Sequence, residues 1–172
     1  MADKPVLLIS SCLFGHPVRY DGNDQALAPA RLAALQARYT LYPLCPECEG
    51  GLPTPRPPAE IAGADGAAVW DRDARVIDKG GQDMSAAFKA GAEVALQQAR
   101  RLNACGALLK SGSPSCANTR IHDGSFSGAM RTGRGVTAEW LARHGIPVWD
   151  DKQSDGPCAS AVAYDATEEP EA

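Results

Sequence analysis

The amino-acid sequence predicts an α/β protein: a doubly wound, mostly parallel, Rossmann-like sheet with helices on both faces. Largely apolar runs at 6–10, 40–44 and 106–109 are typical of strands, and the continuously apolar first run indicates a strand buried on both faces. Between these runs lie segments with helical periodicity, at 31–38 and from about 85 to 102. Strands that alternate with helices indicate a parallel sheet joined by right-handed crossovers.

In the first half of the chain, the strand at 6–10 leads into a loop at 11–15. A helix is predicted over 31–38, with Pro29 near its start, where proline is favoured. The second strand, at 40–44, ends at a cysteine.

A run rich in proline and glycine follows at 50–58 and excludes both a helix interior and a central strand. Proline leaves the backbone little entropy to lose, so we interpret this run as a stiff loop along the functional site. The segments 69–70 and 75–77 predict a β-hairpin that turns at 71–74.

The longest helix comes next, and Asp83 or Ser85 is its expected cap. Its apolar residues recur at steps of four and three and therefore share one helical face: Phe88, Ala92, Ala95, Ala99 and Leu102.

After the strand at 106–109 the chain is rich in turn residues, notably at 123–128. A helix is predicted over 137–144, with Gly145 as its C-terminal cap. A last strand over 146–149 contains a proline, which indicates an edge position. We predict a single domain over 1–150 and a C-terminal tail over 151–172.

Composition narrows the function classes. The chain has 172 residues, enough for one domain with a core, and a net charge of −4 without a Lys/Arg block. We therefore expect no nucleic-acid surface, although a few arginines would suffice for a small anionic substrate. No apolar stretch has the length of a membrane span, and residues 1–5 lack signal-peptide features, so we expect a cytoplasmic protein. The sequence leaves the oligomeric state open.

Three cysteines carry the strongest chemical signal. Cys12, Cys45 and Cys116 each stand where a strand-like run gives way to a loop. Because the carboxyl ends of parallel strands share one edge of a sheet, these thiols are predicted to meet there. A cube of iron and sulfur takes four ligands, so three cysteines would leave one iron open for chemistry. We interpret Cys105 as a small buried apolar residue and Cys158 as incidental.

The pair Cys45 and Cys48 allows two other interpretations. A C-x-x-C pair is typical of thiol oxidoreductases, which place the first thiol at a helix N-terminus, but the glycines and prolines after Cys48 disfavour a long helix. Structural zinc usually requires two such pairs or C…H spacing, and this chain has one pair.

Several polar residues surround the cysteines in sequence. Glu47 beside negative thiolates would have a raised pKa, which suits proton transfer, and the alternative is an ordinary solvated glutamate. The serine-rich loop at 111–116 offers hydroxyl and N–H donors, and the alternative is an ordinary turn. Arg19 and Arg56 are candidates for binding a phosphate, with pairing to a carboxylate as the alternative.

These motifs together resemble one family over about residues 5–150. They are Ser-Cys-Leu-Phe-Gly at 11–15, Arg-Tyr-Asp-Gly at 19–22, Cys-Pro-Glu at 45–47, the proline-rich run with Ala-Glu-Ile at 50–61, Lys-Ser-x-Ser-Pro-Ser-Cys at 110–116 and Asp-Gly-x-Phe-Ser-Gly at 123–128. The pattern is similar to that of the thiouracil desulfidase (TudS) family of bacterial proteins.

The resemblance implies a [4Fe-4S] cluster held by Cys12, Cys45 and Cys116, with the fourth iron free to take the sulfur of a thiolated base. It implies a non-redox desulfidase that acts on 2- or 4-thiouracil, thionucleosides or 4-thiouridine monophosphate and releases hydrosulfide. Glu47 is the implied proton donor or activator of water, and Ser111 and Ser113 are implied to lie near the open iron. Candidate substrate-binding residues are Arg19, Tyr20, Arg56 and Lys110.

Two residues depart from the family pattern. Cys48 replaces an expected apolar residue, and as a fourth ligand it would close the cluster and make the chain an iron–sulfur sensing protein. Ala117 follows Cys116 where glycine is expected, which restricts the backbone of that loop. The rivals of the desulfidase interpretation are therefore a sealed sensing protein and a metal-free thiol oxidoreductase.

Overall fold

The computed structural model describes residues 3–153, in which strands and helices alternate along the chain. In chain order the elements are β1 (Val6–Ser10), α1 (Ser11–Phe14), α2 (Pro29–Arg38), β2 (Thr40–Leu44), α3 (Pro46–Glu49), β3 (Ala59–Ile61), α4 (Gly66–Trp70), β4 (Val76–Asp78), α5 (Ser85–Arg101), β5 (Gly106–Leu109), β6 (Arg120–His122), β7 (Met130–Thr132), α6 (Val136–Arg143) and β8 (Val148–Asp150).

The central sheet has four strands in the order β2-β1-β5-β8, and every pair is parallel. Successive residues of a strand point to opposite faces of the sheet. Both faces therefore carry apolar side chains, and helices cover both. Leu7, Ile9 and Leu108 pack in one cluster with Leu35 of α2, whereas the opposite face packs against α5 and α6. The predicted fold class is confirmed, and β8 forms an edge of the sheet, as the proline before it indicated.

The predicted hairpin over 69–77 is wrong. Residues 66–70 form helix α4, because the Asp65 side chain accepts the Ala68 N–H at 3.1 Å and caps it. Strand β4 pairs with β3 instead, in antiparallel register, across the intervening helix. A second antiparallel pair, β6 with β7, encloses the turn at 123–128.

Smaller differences lie at the ends of elements. The predicted loop at 11–15 contains the one-turn helix α1, and a similar turn, α3, follows Cys45. The cap position of α5 is taken by Met84 rather than by the predicted Asp83 or Ser85, and Asp83 lies just before it, where its carboxylate accepts the Ser85 N–H at 2.9 Å. Among residues 3–153, no helix is long and apolar enough to span a membrane. The predicted tail and Cys158 lie outside the described residues, except for residues 151–153.

Candidate active site

A cavity of about 410 Å³ lies at the carboxyl edge of the central sheet. One side of it is formed by the segments that follow β1, β2 and β5, and the other by what we call the cover: residues 56–61, 76–79 and 120–132. The cavity is lined by every residue that the sequence singled out for the site: Cys12, Arg19, Tyr20, Cys45, Glu47, Arg56, Lys110, Ser111, Ser113 and Cys116.

The three cysteines reach the cavity from neighbouring strands. Cys12 lies in α1 directly after β1, Cys45 precedes α3 directly after β2, and Cys116 ends the loop after β5. Because β1 lies between β2 and β5 and all three run parallel, their carboxyl ends bring the thiols to one place. The sheet therefore assembles the triad that the sequence predicted at its edge.

Burial dominates the chemistry of these thiols. Burial and, to a smaller extent, the neighbouring Cys116 raise the pKa of Cys12 to about 12, while Lys110 and Arg19 oppose the shift. Burial also raises the pKa of Cys45 and of Cys116. At Cys116 the hydroxyls of Ser10, Ser115 and Ser113 work against this effect. A metal-free nucleophilic thiol needs the opposite shift, so these surroundings disfavour the oxidoreductase interpretation.

The donor set fits an iron–sulfur cluster. Thiolates are the ligands that such clusters use, and three cysteines line one cavity here, Cys12 and Cys116 buried and Cys45 partly buried. Within residues 3–153, no three His, Cys, Asp or Glu side chains are close enough together to hold a single metal ion. Cys12, Cys45 and Cys116 are the residues that would hold a cluster at this edge.

Cys48 occupies a different environment from the triad. It does not line the cavity, and its Sγ lies 3.6 Å from the Thr54 hydroxyl in the proline-rich loop. It is also close to Cys45, whose pKa is affected by both the backbone and the thiol of Cys48. The arrangement favours a role for Cys48 in joining α3 to the loop rather than in closing a cluster.

Ala117, the second departure from the family pattern, is accommodated by the core. Its side chain is fully buried and packs in one cluster with Ile121 and Val136. Its N–H donates to the Ser113 carbonyl at 3.1 Å, so the loop that carries Cys116 keeps its turn.

Glu47 is paired with Arg56 beside the cysteines. Nε of Arg56 lies 3.3 Å from Oε1 of Glu47, and both side chains are largely buried. Burial raises the pKa of the Glu47 carboxyl, and the Arg56 guanidinium offsets this only in part. The direction matches the sequence prediction, but the main cause is burial rather than repulsion by thiolates.

Arg56 acts as a clamp between segments. Its Nη1 donates to the Pro53 carbonyl and the Thr54 hydroxyl, each at 3.1 Å, and its Nη2 donates to the Val18 carbonyl at 3.0 Å. With Glu47 on Nε, every nitrogen of the guanidinium already serves a protein acceptor. This geometry favours the carboxylate-pairing alternative for Arg56 over phosphate binding.

The serine-rich loop is held by its own side chains. Ser113 Oγ accepts the N–H groups of Ser115 and Cys116, both at 3.0 Å, and so fixes the turn that presents Cys116. Lys110 Nζ donates to Ser111 Oγ at 3.0 Å and lies 3.7 Å from Asp151 Oδ2. The ordinary turn and the polar lining, which the sequence posed as alternatives, are both present here.

Asp151 belongs to this site, although the sequence assigned it to the tail. Its Oδ1 accepts the Ser111 N–H at 2.6 Å, and its carbonyl accepts a hydrogen bond from Arg31 Nη1 at 2.8 Å. These contacts put the chain beyond β8 beside the serine-rich loop.

Arg19 and Tyr20 lie at the mouth of the cavity. Arg19 is 3.7 Å from Asp21 and its guanidinium lies 5.5 Å from the centre of the Tyr20 ring. Tyr20 is 39% exposed, and its carbonyl accepts the Arg56 N–H at 2.7 Å. Arg19 is therefore more accessible to an anionic group than Arg56.

Sequence reasoning missed several lining residues: Ser10, Glu60, Lys79, His122 and Phe126. Ser10 Oγ accepts the Lys110 N–H at 2.9 Å and ties β1 to the loop after β5. A signal existed for two of them, because Glu60 and Phe126 belong to motifs that the sequence singled out. The other three lack a distinctive local pattern.

Two glycines hold the Cys-Pro-Glu turn against the longest helix. A Cβ built at Gly91 would overlap the Pro46 carbonyl, and one built at Gly50 would overlap the Ala87 carbonyl. Only glycine permits this approach of α3 to α5, so the position of Cys45 and Glu47 depends on a helix that does not itself reach the cavity.

Comparison with known proteins supports the predicted family. A family model described as 2-thiouracil desulfurase matches residues 7–153. The chain is 37% identical to the uncharacterized protein YbbK of Bacillus subtilis (strain 168) over 148 residues, which cover 86% of this chain and 97% of that protein. The solved structure of the [4Fe-4S]-dependent thiouracil desulfidase TudS is 41% identical, with a TM-score of 0.80, and covers 94% of this chain and 99% of its own. The predicted resemblance is thereby confirmed, and the chain belongs to the 2-thiouracil desulfurase family.

Proposed function

We propose that this protein is a [4Fe-4S]-dependent desulfidase that replaces the sulfur of a thiolated uracil with oxygen from water. Thiouracil and water give uracil and hydrogen sulfide, so atoms balance without an oxidant or a reductant. The observation that carries this proposal is the meeting of three cysteines and a largely buried carboxylate in one cavity. The cofactor and substrate of the TudS relative agree with it.

Cys12, Cys45 and Cys116 would hold the cluster. When bound, a cluster with three protein ligands supplies an iron with an open position, a Lewis acid for the thiocarbonyl sulfur. The protein's part is to place the ring, to exclude bulk water and to manage the protons.

Glu47 is placed to handle those protons. Arg56 Nε holds Oε1, and no protein donor among residues 3–153 binds Oε2, so Oε2 is the oxygen available to accept a proton from attacking water. Lys110 holds the Ser111 hydroxyl, and Ser113 orients the loop, so that their donors remain fixed as charge develops on the substrate.

The substrate class within thiolated uracils is a further part of this proposal. Arg19 at the mouth, with Lys79 exposed on the same rim, would accept the phosphate of 4-thiouridine monophosphate better than the fully engaged Arg56. We also propose a cytoplasmic location, because reducing conditions preserve the five free cysteines found among residues 3–153.

The rival sensing protein would require Cys48 to close the cluster. Its position outside the cavity and beside Thr54 disfavours that role. The two functions also differ in outcome, because a sealed cluster leaves thiolated bases unchanged.

The deciding experiment measures iron and acid-labile sulfide per chain after anaerobic reconstitution, then hydrosulfide release from 2-thiouracil, 4-thiouracil and 4-thiouridine monophosphate. About four of each per chain, with stoichiometric hydrosulfide and the oxygenated base, is the expected result. Iron without any hydrosulfide would support the sensing protein, and iron-free protein would overturn both.

A further inference from the structure

The motif Asp-Gly-x-Phe-Ser-Gly at 123–128 has no part in the proposed reaction, yet its phenylalanine lines the cavity. The motif forms the connection between β6 and β7 in the cover. Phe126 has a φ of +56°, in the left-handed region that residues other than glycine seldom adopt. Such a conformation persists only where the surrounding structure holds the residue in place.

Glu60 of β3 holds this turn from beneath. Its Oε1 accepts the N–H groups of Gly124 at 3.0 Å and of Phe126 at 3.1 Å, and the residue is only 8% exposed. Hydrogen bonds to an ionised carboxylate are stronger than those between neutral groups. A Cβ at Gly124 would lie 2.6 Å from the Ile61 carbonyl, so the turn packs directly on β3.

The same hairpin brings a polar ring to the cavity. His122 ends β6 and lines the cavity, and its Nδ1 is buried without a hydrogen-bond partner. Buried polar atoms are nearly always paired, so this nitrogen is a hydrogen-bonding group that the protein itself does not use. The hairpin thus brings an aromatic side chain and an imidazole to one wall of the cavity.

A pyrimidine needs both kinds of contact, an apolar surface for its face and hydrogen-bond partners for its edge. We propose that the hairpin is the ring-recognition element of the site: Phe126 stacks on the pyrimidine and His122 binds its polar edge. Glu60 is then a positioning residue that keeps Phe126 in place. This inference rests on the proposed function for the identity of the ring.

The first test replaces Phe126. Phe126→Ala should raise KM for thiouracil roughly tenfold, the range expected for one base–aromatic contact, with iron content unchanged. Phe126→Tyr keeps the ring and should restore wild-type KM, whereas Phe126→Leu, which keeps only apolar bulk, should not. Thr132→Ala, an exposed change on β7 outside the cavity lining, is the control for the hairpin.

The second test separates positioning from mere folding. Glu60→Ala should raise KM as Phe126→Ala does, and the double variant should be no worse than either single one. Glu60→Gln keeps an oxygen that accepts both N–H groups and should restore most of the affinity. Additive effects in the double variant, or a Phe126→Ala protein with unchanged KM, would overturn the proposal.

A binding measurement distinguishes this inference from the proposed function. Uracil binding to the reconstituted protein, measured by equilibrium dialysis, does not depend on turnover. A wild type that releases no hydrosulfide and yet binds uracil about tenfold more tightly than Phe126→Ala would refute the proposed reaction and support the ring-recognition element. Equal binding by both proteins would refute the recognition element. His122→Phe, a flat ring without nitrogen, should weaken uracil binding, and unchanged binding would remove His122 from the proposal.

Discussion

The carboxyl edge of the central sheet and the cover contribute different chemistry to one cavity. The edge supplies the three thiols, which follow strands β1, β2 and β5. These strands are hydrogen-bonded to one another and pack against helices on both faces of the sheet. The cover consists of short two-stranded pieces and a proline-rich loop, and it supplies Arg56, Glu60, His122 and Phe126. The residues proposed to hold the cofactor directly follow strands of the central sheet or end a loop after one, while the residues proposed to recognise the ring stand on short peripheral elements.

This division predicts that changes at the edge and changes in the cover will separate experimentally. Variants of the three edge cysteines should lose iron, and cover variants should keep iron while their KM for substrate changes. The largest effect is expected for the triad cysteines and the smallest for a residue far from the cavity.

Replacing any triad cysteine should have the largest effect. Cys12→Ser, Cys45→Ser and Cys116→Ser should each lose the cluster and all hydrosulfide release, because two remaining thiolates hold it poorly. Iron, acid-labile sulfide and the visible spectrum report the loss. Cys105→Ser is the matched control and should retain both, and Cys48→Ala should as well. Full iron content in a triad variant would show that the edge is not the binding site.

Glu47→Gln should abolish turnover and leave the iron content unchanged. The amide oxygen still accepts from Arg56 Nε, so the clamp persists, but an amide does not accept a proton from water. A loss of about a hundredfold or more in kcat is expected for a general acid–base group. Turnover at the wild-type rate would exclude the proposed role of Glu47.

Gly91→Ala tests the contact that places the Cys-Pro-Glu turn. The added methyl meets the Pro46 carbonyl, so α3 must shift, at a cost of about 1–3 kcal/mol in the free energy of unfolding and with reduced iron content. Ala90→Gly, one residue earlier on the exposed side of α5, is the control. It should cost about 1 kcal/mol through helix propensity and leave iron unchanged. Equal iron in both proteins would show that the turn tolerates displacement.

The smallest effect is expected far from the cavity, at Asp83. Its hydrogen bonds to Ser85 lower its pKa below the ordinary 3.8, so its stabilisation is present above 3.8 and disappears as the pH falls through the lowered pKa. Asp83→Ala should lower the free energy of unfolding by about 0.5 kcal/mol at neutral pH, a small value because the carboxylate is exposed. Denaturant titrations of both proteins should converge in acid, and a constant difference would assign the effect to helix propensity instead.

The sequence was most informative where local pattern and burial agree. Strands β1, β2 and β5 lie where their apolar runs predicted, and the signal is clearest for β1 and β5, whose residues are buried on both faces. The cover was predicted poorly. Its strands are three residues long and pair across a helix or a loop, so no periodicity identifies β3 with β4. The Asp65 cap, a local signal, was overlooked.

The sequence alone determined the layered fold, the three thiols at one sheet edge and the family, because strand patterns and cysteine-bearing loop motifs are local features of the chain. The tertiary structure decided which charged groups are free to act. For Arg56 it favoured carboxylate pairing, one of the two alternatives from the sequence, and it put Asp151, predicted to begin the tail, beside the serine-rich loop, because these partners lie far along the chain or in a folded loop. Likewise, only folding placed Gly91 under Pro46 and Glu60 under Phe126, since such contacts join segments whose meeting no local pattern encodes.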